Sequence, residues 1–373
     1  MRRILSQTFP VLLCFLSAIV LVSCTGSRTF QPYIPPHPSS FRGEPVPLFT
    51  VQLNGKEGCI NADGSVTIEP RFEEIRCSAD PLIPFRTESK WGFVDQSGEV
   101  ILEPQFASTA MVGYGPTFSE GLSAVCMNAK CGYIDFSGNY AIEPKFDYAE
   151  NFSDGFALVQ FGAKDFLGYR YRSATTMFID KRGANAFPNS AFVPESNFRN
   201  GWAAISLHSR RGCLDKSGSM SMPIERITSC EFSDGLAVAE ESPMGAFGYV
   251  DIDGKSIIPF EFRQAGEFSD GLAVVMFQSG KYGYIDKTGQ TMIPPKYDVA
   301  DTFYEGRAVV SVGYKNGYID EHGNEITPTQ FGSAERFVNG LARVSFDDQN
   351  PPYDNKRYGY INRFGTFVWP PSK

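Results

Sequence analysis

The recurrence of one short motif restricts the fold of this chain more than any other feature. The segment KYGYIDKTGQTMIPPKYD at 281–298 returns in altered form as KWGFVDQSGEVILEPQF at 90–106 and as KCGYIDFSGNYAIEPKF at 130–146. Nine such units follow one another at spacings of 34 to 45 residues. Periods of this length are typical of architectures in which small units stack to bury a shared core.

Each unit contains the residues of a β-hairpin. A polar residue ends the GYID-like run, and a glycine lies three residues further on. The polar side chain can accept a hydrogen bond from the turn backbone, and the glycine can adopt the positive φ that closes the turn. The nine pairs are Asn61 and Gly64, Asp95 and Gly98, Asp135 and Gly138, Asp180 and Gly183, Asp215 and Gly218, Asp251 and Gly254, Asp286 and Gly289, Asp320 and Gly323, and Asn362 and Gly365.

Two further signals complete the unit. A proline such as Pro144 follows the turn and should end the second strand or place it at an edge. A motif of the form FSDGLAVV then leads into a third, apolar strand. The 36 glycines and 25 prolines of the 373 residues also favour many turns over long helices. The sequence therefore predicts an all-β protein with about three strands per unit.

The combined pattern resembles the WG-repeat family, which occurs in bacterial proteins in many tandem copies. The resemblance rests on [K/R]-[W/Y/F]-G-[Y/F]-[I/V]-D-x-x-G, then I-x-P-x-[F/Y], then F-x-x-G-L-A-x-V, and it covers residues 48–370. Trp91 alone keeps the tryptophan, and the unit around Met177 lacks the paired glycine. The resemblance implies a repeat scaffold with no reaction or ligand common to the family.

Residues 48–370 are therefore expected to form a repeat domain, followed by a short tail at 371–373. Propeller blades usually have four strands and number four to eight, whereas this sequence suggests nine units of three strands. We expect an open, curved, solenoid-like array, with a closed β-propeller as the alternative.

The N-terminus has the pattern of a lipoprotein signal. Arg2 and Arg3 precede an apolar run that is too short for a membrane span, which needs about 20 residues. The run ends at Leu21-Val22-Ser23-Cys24, which resembles the lipobox of bacterial lipoproteins. That resemblance implies a signal peptide at 1–23 and lipidation of Cys24, and an ordinary cleaved signal is the alternative.

The segment 24–47 would then contain the lipid anchor and a Pro/Ser-rich tether, extended and unfolded. The protein would lie in the cell envelope, held by membrane lipid. The outer membrane is favoured in a Gram-negative cell, because no aspartate follows Cys24.

Six cysteines remain after the signal and the anchor, and in an oxidising compartment they suggest disulfides. Cys59 and Cys213 occupy one repeat position, and the same two units have a second cysteine seven residues after the template proline. This co-substitution predicts the pairs Cys59–Cys77 and Cys213–Cys230, and it leaves Cys126–Cys131. A zinc site is the alternative, but no histidine accompanies the cysteines at ligand spacing.

An aromatic residue recurs at the position that Cys59 and Cys213 occupy. These rings could line a carbohydrate site, but burying each of them would contribute about 1.5–3 kcal/mol, which a small unit needs. We therefore predict that they belong to the core. They are Tyr133, Phe178, Tyr249, Tyr284, Tyr318 and Tyr360.

No catalytic motif is present, and no catalytic residue, metal ligand or cofactor is predicted. His208 and His322 are expected to be solvated, and the acids of DIDG at 251–254 are explained by turn chemistry. The net charge of −8, without basic clusters, argues against nucleic acid. We expect a non-catalytic scaffold that binds a protein or glycan partner. The alternative is a hydrolase of envelope or extracellular glycans, with its acids in irregular inserts such as FGAKDFLGYRYRSATT at 161–176, most of which lies outside the residues described below. A carboxylate pair such as Asp234 and Glu240 could also perform glycoside chemistry.

Overall fold

The computed structural model describes residues 32–37, 39, 41, 43–107, 115–162, 175–208, 210–221, 227–242, 245–346 and 358–371. The predicted signal peptide and Cys24 lie outside these residues. Residues 33–373 form one compact unit. All regular secondary structure in the described residues is β, as predicted. These residues contain no helix long and apolar enough to cross a membrane.

The described strands form nine small antiparallel sheets, which we number blades 1 to 9. Blades 1 to 3 contain β1 (Phe49–Leu53), β2 (Lys56–Ile60) and β3 (Val66–Phe72); β4 (Glu74–Ile75), β5 (Leu82–Thr87), β6 (Lys90–Asp95) and β7 (Val100–Phe106); and β8 (Phe118–Ser119), β9 (Leu122–Met127), β10 (Lys130–Asp135) and β11 (Tyr140–Phe146). Blades 4 to 6 contain β12 (Tyr148–Ala149), β13 (Ala157–Phe161) and β14 (Thr175–Ile179); β15 (Val193–Pro194), β16 (Trp202–Leu207), β17 (Arg210–Asp215) and β18 (Met220–Ser221); and β19 (Ala237–Glu240), β20 (Phe247–Val250) and β21 (Ser256–Phe262).

The last three blades are complete. They contain β22 (Gln264–Ser269), β23 (Leu272–Met276), β24 (Tyr282–Ile285) and β25 (Thr291–Tyr297); β26 (Val299–Ala300), β27 (Arg307–Val312), β28 (Lys315–Asp320) and β29 (Glu325–Phe331); and β30 (Ser333–Ala334), β31 (Leu341–Ser345), β32 (Tyr358–Asn362) and β33 (Phe367–Trp369).

A complete blade has four strands in sequential order, one more than the sequence predicts. The additional strand comes first and is often only two residues long, as in β26. Among the described residues, blade 1 has no such strand, and blade 6 keeps only an isolated bridge between Ile227 and Ala239. Blade 4 instead lacks the fourth strand.

The backbone of the fourth strand passes so close to the third strand that the third strand needs a glycine at that point. A Cβ atom on Gly132 would lie 2.4 Å from the carbonyl oxygen of Ile142 and 2.7 Å from the nitrogen of Pro144. The ladder between β10 and β11 shifts register at this glycine, so the proline-containing strand passes over a residue that has no side chain. Met177 occupies this position in blade 4 and is incompatible with that path. This explains why blade 4 has no fourth strand among the described residues.

The nine blades close into a ring, so the expected open array is wrong and the alternative, a β-propeller, is correct. Turn glycines pack against the preceding blade: Cβ atoms on Gly98 and Gly138 would contact Ile68 and Leu102. A Cβ on Gly64 of blade 1 would meet the carbonyl of Val368 in blade 9. The hydroxyl of Tyr360 also donates to the carbonyl of Thr50 at 2.8 Å, across 310 residues. Among the described residues, the strands of blades 1 and 9 pair only within their own blades, so side-chain and turn contacts form the seam.

One repeat position links several blades to the next. The buried hydroxyls of Tyr133, Tyr284 and Tyr318 donate to backbone carbonyls 17 residues later, at 2.6–2.7 Å. These carbonyls lie just after the first strand of the following blade. Burial raises the pKa of each tyrosine, so the hydroxyl stays protonated and can donate. The six predicted core rings are all buried.

Three disulfides join the described cysteines, with the pairings that the repeat comparison predicts. Cys126–Cys131 connects β9 and β10 within blade 3. Cys59 and Cys213 lie at the tyrosine position, and their partners, Cys77 and Cys230, lie in the following blade. These two disulfides therefore take the place of the tyrosine–carbonyl bond between blades.

Part of the predicted tether contacts blade 2. The buried amide of Gln105 accepts from the nitrogen of Ile34 at 2.8 Å and donates to its carbonyl at 2.9 Å. Gln96, also buried, makes the same pair of bonds with Val46. The described residues of this segment have no helix or strand, and these bonds hold them to the propeller.

Candidate functional site

Two kinds of turn lie on one face of the ring, which we call the upper face. The F-x-x-G turns connect the first and second strands, and the D-x-x-G turns connect the third and fourth. Since the strands are antiparallel, both turns lie at the same end of each blade. Ion pairs join them: Lys181 lies 3.2 Å from Glu120, and Lys287 lies 3.0 Å from Asp234.

The acids of the F-x-x-G turns bind the next blade. The carboxylate of Asp154 accepts from the nitrogen of Gly201 at 2.9 Å, and Asp270 accepts from Gly306 at the same distance. Glu120 accepts from Gly155 at 3.1 Å. These carboxylates are engaged by backbone and lysine partners, so their arrangement serves ring cohesion.

Glu305 makes the most extensive of these contacts. It accepts from the nitrogens of Asn339 at 2.6 Å and Gly340 at 2.9 Å, and from the guanidinium of Arg363 at 3.0 Å. Partial burial raises the pKa of Glu305, but these three bonds outweigh it and lower the pKa below its usual value. The carboxylate therefore stays ionised and fixes two turns of blade 9 against blade 8.

Three exposed apolar side chains flank this carboxylate. Tyr304 precedes Glu305, Val338 precedes Asn339, and Phe364 follows Arg363; their exposed fractions are 43%, 46% and 82%. The guanidinium of Arg336 lies 4.3 Å from the centre of the Tyr304 ring, a cation–π contact. We call these four residues, Tyr304, Arg336, Val338 and Phe364, the aromatic–arginine cluster.

Most other blades have polar residues at the aromatic positions of the cluster. The residues equivalent to Tyr304 include Ser119, Ser153, Ser233 and Ser269, and those equivalent to Phe364 include Ser137, Ser217 and Thr288. Ser119 and Ser233 use their hydroxyls to bond the next blade. The sequence-based prediction missed this cluster. Comparing the units at these two positions would have shown that Tyr304 and Phe364 are aromatic where most units have a polar residue.

A pair of carboxyl groups joins blades 6 and 7. Burial, a hydrogen bond shared with Glu231 and the charge of Glu231 together raise the pKa of Glu267 to about 7. Glu231 also lies 3.3 Å from the guanidinium of Arg199. Carboxyl groups that share a hydrogen bond are closer than the roughly 5–9.5 Å that glycoside hydrolysis requires. The pair is therefore suited to linking two blades through a shared proton.

The carboxylate pair named for the hydrolase alternative is not brought together. Asp234 lies in the upper-face turn before β19, whereas Glu240 lies at the far end of that strand, which is about 10 Å long at 3.3 Å per residue. Asp234 pairs with Lys287, and Glu240 accepts from the nitrogen of Gly245 at 3.1 Å.

The remaining polar candidates occupy turns. His208 and His322 are exposed, as expected. Asp251 accepts from the nitrogens of Asp253 and Lys255, which is the turn chemistry expected for DIDG. Within the described ranges, no group of three or more His, Cys, Asp or Glu side chains could hold a metal ion.

Comparison with known families agrees with this repeat geometry. The WG containing repeat matches residues 58–91, 91–131, 132–164, 247–282, 282–315 and 317–349, which is more than half of the chain. The chain belongs to the WG containing repeat family. No curated protein matches this WG-repeat protein in sequence.

Several solved structures are similar to the WG-repeat protein at low sequence identity. A crystal structure of a eukaryotic initiation factor has a TM-score of 0.49 and 12% identity, over 75% of this chain and 80% of that one. BamB from Moraxella catarrhalis has a TM-score of 0.35 and 12% identity, over 75% and 96%. AztD from Citrobacter koseri has a TM-score of 0.35 and 13% identity, over 74% and 92%.

Proposed function

We propose that this WG-repeat protein is a non-catalytic, lipid-anchored scaffold of the bacterial envelope that holds a protein or glycan partner on its upper face. The observation that carries the proposal is the aromatic–arginine cluster. It places two aromatic rings and an arginine at exposed positions where most other blades have serine, threonine or other polar residues.

The composition of the cluster favours binding. Tyrosine and arginine are enriched among the interface residues that contribute most to affinity, and aromatic rings supply area with little conformational entropy to lose. The ion pair of Glu305 with Arg363 lies between Tyr304 and Phe364, and it holds their turns in place before a partner arrives. A rigid surface of this kind loses little entropy on binding.

Cys24 is the proposed attachment point. Several acyl chains at about 0.8 kcal/mol per buried CH₂ would hold the protein stably in a bilayer. We expect Cys24→Ala to release the protein from membranes or to leave it unprocessed. Unchanged fractionation and unchanged mature mass would contradict the lipoprotein proposal.

The binding proposal is tested with a double variant, Tyr304→Ser with Phe364→Ser, which restores residues that other blades contain. Purified wild type should retain a partner from detergent-solubilised envelopes or from defined peptidoglycan and polysaccharide fragments, and the variant should lose it. Tyr314→Ser is the matched control, because Tyr314 is 91% exposed in the β27–β28 turn on the opposite face. Equal retention by all three proteins would contradict the role of the cluster.

The same preparation addresses the hydrolase alternative. We expect no turnover of peptidoglycan, polysaccharide or peptide substrates by the wild-type protein. Robust turnover that one Asp or Glu substitution abolishes would replace the scaffold proposal.

A further inference from the structure

Blade 4 contains an open strand edge beside a cavity. β14 pairs with β13, and the described residues contain no fourth strand beyond it. After the turn, the chain pairs with β14 at one point only in the described residues, where the nitrogen of Ala186 donates to the carbonyl of Phe178 at 2.9 Å. Thr176, two residues before Phe178, directs its backbone groups to the same edge. In the described part of the chain, no strand pairs with that edge at Thr176.

The cavity lies along this edge, between β14 and the start of blade 5. Its volume is about 330 Å³, and its lining includes Thr176, Phe178, Phe187, Phe192 and Val193. No charged side chain lines it among the described residues. The rings of Phe178, Phe187 and Phe192 contact one another, with centroids 5.8–6.4 Å apart.

The other blades show what this space accommodates. Thr176 is equivalent to Cys131, which pairs with Phe146 at the end of the fourth strand of blade 3. Phe146 is fully buried, and so are the equivalent Phe106 and Phe331. The slot in blade 4 thus corresponds to the place that an extended strand and its terminal aromatic side chain occupy elsewhere in the ring.

We propose that the blade 4 slot binds an extended segment of a partner protein by strand addition, with an aromatic or large aliphatic side chain in the cavity. The free edge at Thr176 offers backbone hydrogen bonds, and the cavity supplies side-chain specificity. Met177 excludes the bulged, proline-containing path of the protein's own repeats, so the bound segment pairs as a regular strand. This slot shares no residue with the aromatic–arginine cluster, so the two proposals can fail separately.

Two labelled peptides test the proposal against the purified full chain by fluorescence anisotropy. The first has the sequence of residues 140–146, YAIEPKF. The second carries Pro144→Thr, which restores a backbone donor and removes the cause of the bulge. We expect the second peptide to bind at least about fivefold more tightly, the effect of roughly one net hydrogen bond. Met177→Gly should reduce or reverse that preference.

Thr176→Trp fills the cavity from its base and should abolish binding of the second peptide. Thr291→Trp, at an exposed residue at the start of β25, is the matched control and should bind normally. Absence of binding by wild type, or equal binding by Thr176→Trp, would overturn the proposal. A concentration-dependent dimer that Thr176→Trp abolishes would show that a second copy fills the slot, and would overturn its assignment to a partner.

Discussion

Replacing Gly64 by alanine probes the seam of the ring. Gly64 has a φ of 91°, and an added Cβ would lie 2.2 Å from the carbonyl oxygen of Val368 in blade 9. Gly254 occupies the same turn position in blade 6 with a φ of 77°, and nothing lies within 4 Å of its added Cβ. Left-handed backbone costs an alanine about 1–2 kcal/mol at both positions. The clash with rigid backbone adds about 1–3 kcal/mol at Gly64 alone.

We therefore expect Gly64→Ala to lower the free energy of unfolding by about 2–5 kcal/mol and Gly254→Ala by about 1–2 kcal/mol. Urea unfolding, followed by tryptophan fluorescence, measures both, and Trp369 in β33 reports on the seam. If the two variants lost the same stability, blade 9 would not lie against Gly64 in solution. The closed ring would then be refuted.

Three further results are expected. Cys77→Ser should cost about 2–4 kcal/mol, and thiol labelling with peptide mapping should find one new free thiol, at Cys59. The pKa of Glu267 in the fold, about 7, exceeds its ordinary 4.5, so the folded state binds more protons than the unfolded state between these values. Stability should therefore fall as pH rises from about 5 to 8. Glu267→Gln keeps a hydrogen-bonding group beside Glu231 and should lose this pH dependence in thermal melts. Tyr318→Phe should cost about 1 kcal/mol in urea unfolding, because its bond to blade 9 is lost.

Local features of the fold were predictable because they repeat. The turn glycines, the pairing of Cys59 with Cys77 and the burial of Tyr318 all follow from comparing one unit with another. The first strand of most blades was missed because two residues, as in Val299–Ala300, are too few to show alternation.

Closure and binding surfaces depend on geometry that no single unit contains. The contact between Tyr360 and Thr50 follows from the rotation between successive blades, which no local motif encodes. Met177 was visible as a departure from the template. That Met177 excludes a fourth strand could be inferred only from the structure. In other blades the backbone of the fourth strand lies where the Cβ atom of Met177 would be. Gln96 and Gln105 lie in segments typical of surface residues, and both make hydrogen bonds to the docked N-terminal segment, which the sequence does not indicate.

The seam also sets the order in which the molecule assembles. The links between consecutive blades span 17 or 18 residues of chain, whereas the bond from Tyr360 to Thr50 encloses 310. The entropy of closing the longer loop adds about 2–3 kcal/mol to the cost of forming that contact. Neighbouring blades should therefore associate early in folding, and the junction of blades 1 and 9 should form last. The same junction should exchange its amide hydrogens first when the native ring opens.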